Sequence, residues 1–183
     1  MIYSIVAYGD PVLKKVATDV VGFDSDLKKL VQDMYETMYE AHGVGLAAPQ
    51  IGKSIRLFVV DASPFEEEGG KDFKKAFVNA QITETSEDQE GFEEGCLSIP
   101  GLRKEVKRPS KIKLDYYDEN GKHFHEWFDG IKARIIQHEY DHIEGVLFTD
   151  RLSSLQKQLI KSKLTDISKG KVYADYRIKF FKK

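Results

Sequence analysis

The chain has a single cysteine, Cys96, so no internal disulfide can form. A lone thiol suits a reducing compartment and leaves its sulfur free for other chemistry. The first residues lack the basic stretch and apolar core of a secretory leader, and no apolar run is long enough to cross a bilayer. A cytoplasmic protein that makes no membrane contact is expected. Internal repeats and low-complexity tracts are absent as well. The net charge is only -2, but it is unevenly spread. Residues 151–183 hold ten Lys or Arg against Asp166 and Asp175, about +8, which leaves about -10 on residues 1–150. Such a basic segment either faces nucleic acid or is a solvated lysine-rich helix face.

What is present is enough for one core. With 183 residues, 41% of them hydrophobic, the chain suits a single domain over residues 1–183. Leu27, Leu30, Val31, Met34, Tyr35 and Met38 recur at helical spacing behind a cap at Asp24 or Ser25. Residues 55–61 and 76–83 have the β-branched, apolar character of strands. Residues 63–75 and the acidic stretch 85–94 read as exposed connections, and 106–117 as a strand bent at Pro109. Asn120-Gly121 predicts a type I′ hairpin returning through 123–128. A second amphipathic helix, Ser153 to Ser168, leads to a final alternating strand from Val172 to Phe180.

The stretch Gln137-His138-Glu139-Tyr140-Asp141-His142 contains H-E-x-x-H. On a helix, residues four apart share a face, so His138 and His142 can offer two imidazoles to one metal ion, and Glu139 beside them can act as a general base. Ile131 and Ile135 continue the histidine stripe, Ile136, Tyr140 and Ile143 flank it, and Asp129 is placed to cap the helix. A helix apolar on several sides is buried, where a chance pair of surface histidines would not lie, which leaves metal ligands or a buried, hydrogen-bonded histidine pair. The small-residue stretch Gly43 to Gly52 contains G-x-G-x-x-A, but a helix precedes it and Pro49 interrupts any helix after it, so a dinucleotide site is not supported. His123 and His125 alternate onto one strand face but have no ligand partner nearby in the chain.

A catalytic metal site ordinarily has three protein ligands. The protease pattern with a third histidine has Gly145 in place but Phe148 at the ligand position. The pattern with a downstream glutamate is also unmet, since Glu144 is too close. Cys96 is a soft donor between Gly95 and Leu97, and can be either a ligand or a small buried hydrophobe. At this level a peptidase with an unfamiliar ligand set and a metal-stabilised binding module both remain open.

Three segments, Gly43-Val44-Gly45-Leu46-Ala47-Ala48-Pro49-Gln50, Glu94-Gly95-Cys96-Leu97-Ser98 and Gln137 to His142, together resemble the motifs of peptide deformylases in their usual order. Gly9 to Leu13 and Leu147 to Arg151 extend the likeness over most of residues 1–152, and the basic segment 151–183, with its helix and strand, is less typical. The resemblance implies an α+β fold, with β-sheets packed around a central helix carrying H-E-x-x-H and a C-terminal helix and strand. It implies a divalent metal on Cys96, His138 and His142, often Fe(II), with zinc, nickel or cobalt able to replace it. The implied reaction removes the N-formyl group from formylmethionyl nascent peptides and releases formate. Glu139 would move the proton, and the Gln50 side chain and Leu97 N–H would stabilise the tetrahedral oxyanion. By the same resemblance Val44, Ile131 and Ile135 line a pocket for the methionine side chain, and Gly45 and Gly95 approach the peptide backbone. Arg134 stands where an apolar pocket residue is expected, and Glu94 and Arg103 either pair near the cleft or are simply solvated. The ribosome is the partner implied for the basic segment.

Overall fold

A computed structural model describes residues 1–181. After strand β1 (Ile5–Val6) and a 3-10 turn at Pro11–Lys14, helix α1 runs Ser25–Glu40. It starts where Asp24 accepts hydrogen bonds from the amides of Asp26 and Leu27, and it buries Leu27, Val31, Met34 and Met38 on one face. Strand β2 (Gly45–Ala47), a 3-10 turn (Ala48–Ile51), β3 (Leu57–Asp61), β4 (Lys74–Thr85), β5 (Gln89–Cys96), β6 (Ile99–Pro109), β7 (Lys111–Tyr117) and β8 (His123–Asp129) follow. Helix α2 (Gly130–Ile143), helix α3 (Ser154–Ser168) and strand β9 (Ile178–Lys179) complete the order.

Strands β2, β3, β4, β7 and β8 form one antiparallel sheet in that order. The apolar run of β3 is explained by burial on both faces. Leu57 and Val59 pack with α1, while Phe58 and Val60 face α2. Strands β5 and β6 form a separate hairpin, which packs with α3 and Phe148 around Leu102, Val106 and Ile160. The two ends of the chain meet where β9 pairs in parallel with β1. This is an α+β fold with α2 at its centre, and no helix among the described residues is long and apolar enough to cross a membrane.

Several expectations change. The acidic stretch 85–94 is mostly strand, because its residues pair with the basic β6, as in Glu94↔Lys104 and Glu90↔Arg108. Residues 106–117 divide at Pro109–Ser110 into two strands of different sheets, since proline cannot donate to a continuing ladder. In the β7–β8 turn only Gly121 has positive φ. The Asp118 carboxylate accepts from the amides of Asn120 and Lys122 instead, so this is not a type I′ turn. Asp129 sits at the N-cap, just before Gly130, but its side chain makes no capping bond. The final alternating stretch is strand only at Ile178–Lys179.

Candidate active site

Helix α2 sets His138 and His142 one turn apart, with ring centroids 5.2 Å from each other. The β5–β6 hairpin brings the thiol to them. Its register shifts between Gly95 and Cys96, as at a β-bulge, and such irregularities turn a side chain out of the regular alternation. Cys96 Sγ lies 3.3 Å from His142 Nε2, and the three prospective ligand atoms of Cys96, His138 and His142 are all within 4.8 Å of one another.

The surroundings fit a cation. Glu94 Oε2 is 2.9 Å from His138 Nδ1, which fixes the ring and leaves Nε2 to face the other two donors. Glu94 is itself held by two bonds from Arg108, at 2.6 and 2.9 Å, and one from Arg134 at 2.8 Å. Burial opposes its ionisation, but the Arg108 and His138 contacts outweigh burial and hold its carboxyl well below the usual range. Burial likewise disfavours a charged His138, yet Cys96 and Glu94 raise its pKa well above the ordinary value, so the pocket favours positive charge at this point. His142 is pushed well down by burial and by the neighbouring His138, which leaves it a neutral imidazole. One sulfur and two nitrogens are a donor set for zinc, iron, nickel or cobalt rather than magnesium or calcium.

Glu139 is buried, and its Oε2 has no hydrogen-bond partner among the described residues. Burial pushes its carboxyl up to about 7, close to the value at which a carboxylate exchanges protons readily near neutrality. Gly45 packs against this carboxyl, and a Cβ there would collide with Oε1. The side-chain oxygen of Gln50 accepts from the Ala47 amide at 2.8 Å, which turns its Nε2 towards Ser98 Oγ (3.4 Å) and Cys96 Sγ (3.5 Å).

Val44, Gly45, Gln50, Gly95, Cys96, Leu97, Ile131, Ile135, His138 and Glu139 all line one cleft of about 600 Å³. His142 lies beneath it at 1% exposure, its Nδ1 without a partner. Two sequence expectations are corrected. Arg103 pairs with Glu93 rather than Glu94. Arg134, though at the cleft, turns its guanidinium to Glu94 and to the carbonyls of Val106 and Glu90, so its charge is satisfied away from the apolar floor. His123 pairs with Asp115 across the β7–β8 hairpin and His125 lies near Thr83, both exposed and neither in the Cys96, His138 and His142 group.

Sequence reasoning missed Arg108 and Asp141. Arg108 bridges Glu94 to Asp141, with a 2.8 Å bond to the latter, and Arg151 holds Asp141 by two more. The signal was present, since Arg108 alternates on β6 with the buried Leu102 and Val106. Missed also was the wall formed by Tyr173 to Tyr176, which reaches the cleft from beyond α3. Tyr176 donates to the Leu97 carbonyl at 2.7 Å. Burial, and then the charges of Cys96 and Asp175, raise its phenol above the usual range and keep it a donor.

The family model described as polypeptide deformylase matches residues 2–158. A peptide deformylase of Cytophaga hutchinsonii is 56% identical over 180 residues, covering 98% of each chain. The crystal structure of peptide deformylase from Thermotoga maritima superposes with a TM-score of 0.78 at 44% identity, over 84% of this chain and 99% of that one. A peptide deformylase from Legionella pneumophila gives a TM-score of 0.82 at 40% identity, over 93% of this chain and 98% of that one. On this sequence and structural agreement, the chain belongs to the polypeptide deformylase family, metal-dependent hydrolases that remove the N-formyl group from nascent peptides and release formate.

Proposed function

We propose that Cys96, His138 and His142 hold the divalent metal of this deformylase and that Glu139 is its general base and acid. The observation that carries this is the convergence of one thiol and two imidazoles beside a buried carboxylate with a free oxygen. When bound, the metal supplies Lewis acidity, polarising the formyl carbonyl and making water a better nucleophile. Glu139 takes a proton from the attacking water and returns it to the leaving amine as the C–N bond breaks. Gln50 Nε2 and the Leu97 N–H donate to the oxygen that gains charge as the formyl carbon becomes tetrahedral. Val44, Ile131 and Ile135 receive the methionine side chain, and Gly45 and Gly95 let the peptide backbone approach. Fe(II) is the ion the family resemblance implies, and the mixed sulfur–nitrogen set equally accepts zinc, nickel or cobalt, so cellular supply decides between them.

Residues 1–183 act as one catalytic domain in the cytoplasm, and the basic segment 151–183 docks on the ribosome where formylated chains emerge. The charge of that segment supports the docking, and it predicts affinity that falls steeply with salt. The test of the site is metal analysis of protein purified without oxygen, alongside formate release from a formyl-Met peptide. One ion per chain is expected, lost in Cys96→Ala and retained in Glu139→Ala. Full metal content in Cys96→Ala would remove Cys96 from the ligand set.

A further inference from the structure

Leu97 and Ser98 are the two-residue turn that joins β5 to β6. Both carbonyls of this turn are held from outside the hairpin. Ser98 O accepts the Tyr8 N–H at 2.8 Å, and Leu97 O accepts the Tyr176 hydroxyl at 2.7 Å. The two donors come from segments that are themselves tied together. Ile5 pairs with Ile178, the Ile5 amide bonds Arg177 O, and the Ala7 amide bonds Lys179 O, each bond 2.8 Å long. The ends of the described chain thus meet as one unit beside the turn. Tyr176 is half-buried and, like Leu97, packs against the apolar cluster that includes Ile5 and Leu46, so its hydroxyl is delivered from a supported ring.

A two-residue turn has few internal bonds with which to fix itself. Rotation about Leu97 would swing the carbonyl on one side of its Cα and the N–H on the other. A donor displaced by about 1 Å from a reacting oxygen forfeits much of its effect. Residues 159–181, Tyr176 included, lie beyond the stretch that the family model matches.

We propose that Tyr176 is a positioning residue for deformylation: by binding the Leu97 carbonyl it locks the turn and aims the Leu97 N–H at the formyl oxygen. This rests on the assignment of Leu97 N–H as an oxyanion donor. Tyr176→Phe removes the hydroxyl and keeps the ring packed. In the full-length, zinc-loaded protein labelled with 15N-leucine, the Leu97 amide should become mobile, its 15N order parameter falling from about 0.85 to below about 0.6. In the same protein kcat for a formyl-Met peptide should fall about tenfold, less than the hundredfold or more expected when an oxyanion donor is removed outright. KM should stay within about twofold and the metal content should be unchanged, a split that general loosening of the fold would not produce. An unchanged order parameter at Leu97 overturns the proposal, whatever happens to kcat. A lower order parameter with unchanged kcat also overturns it, and places the fault in the assignment of Leu97 as a donor rather than in the Tyr176 contact.

Discussion

On one side of α2, Ile136 and Ile143 pack against the five-stranded sheet, among Phe77, Ile112, Leu114, Tyr116 and Phe128. On the other side Arg134, His138 and Asp141 meet charged partners on β5 and β6. The sheet side is a close-packed apolar layer, with Phe77 stacked on Phe58 at 4.8 Å and against Tyr116 at 4.6 Å. Each such aromatic contributes about 1.5–3 kcal/mol by leaving water. The hairpin side is the opposite kind of interior. Taking Glu94, Arg108, Arg134 and Asp141 out of water costs several kcal/mol per ion, and their mutual attraction does little more than offset that cost. The difference teaches where stability and geometry each originate. The sheet holds α2 in place, and the ion network orients His138 and brings the hairpin bearing Cys96 against it.

Changes on the two sides should therefore fail in different ways. The largest expected effect belongs to Glu139, the base proposed between them. Glu139→Ala should lower kcat by about a hundredfold to ten-thousandfold while binding the metal as before, and a variant within tenfold of normal turnover would remove Glu139 from proton transfer. Next is Arg108→Ala, which leaves Glu94 and Asp141 buried with fewer partners. It should cost about 3–5 kcal/mol in urea unfolding and also weaken metal retention by freeing His138. If metal affinity is untouched, the network is only scaffolding.

Acid should act on the hairpin side first. The folded-state pKa of Glu94 is depressed, so its contribution is complete above the unfolded value of about 4.3 and is lost as pH falls through the folded value. Between pH 6 and 3 the urea midpoint of the natural chain should drop more steeply than that of Glu94→Gln, and equal slopes would contradict the ion-pair account. The smallest effect is expected on the sheet. Ile112→Val should cost about 1 kcal/mol of stability and leave kcat/KM unchanged; altered kinetics would show that the sheet side also tunes the site.

Helix α1 and the H-E-x-x-H helix were legible because each carries a helical apolar period and a local start signal. The β3 strand was legible from its β-branched run. The acidic stretch before Glu94 misled, since charge alone suggested a solvated loop when the basic partner strand was already present in residues 103–108. Arg103 was one candidate partner for Glu94, because sequence proximity does not reveal strand face. On β6 Arg103 is exposed and Arg108 is inward, and only the inward one can meet Glu94.

The sequence by itself determined which residues were candidates for the site, because H-E-x-x-H on a helix places two possible donors and a possible base together by covalent spacing. It also determined the family, through three motifs in order. Only the tertiary structure decided that Arg108 and Arg134 both hold Glu94, that Gln50 turns its amide towards Cys96, and that Tyr176 reaches the Leu97 carbonyl. The physical reason is separation along the chain. Helical and strand periods act over a few residues, whereas Leu97 and Tyr176 become neighbours only after the β5–β6 hairpin and the β1–β9 pair have packed together.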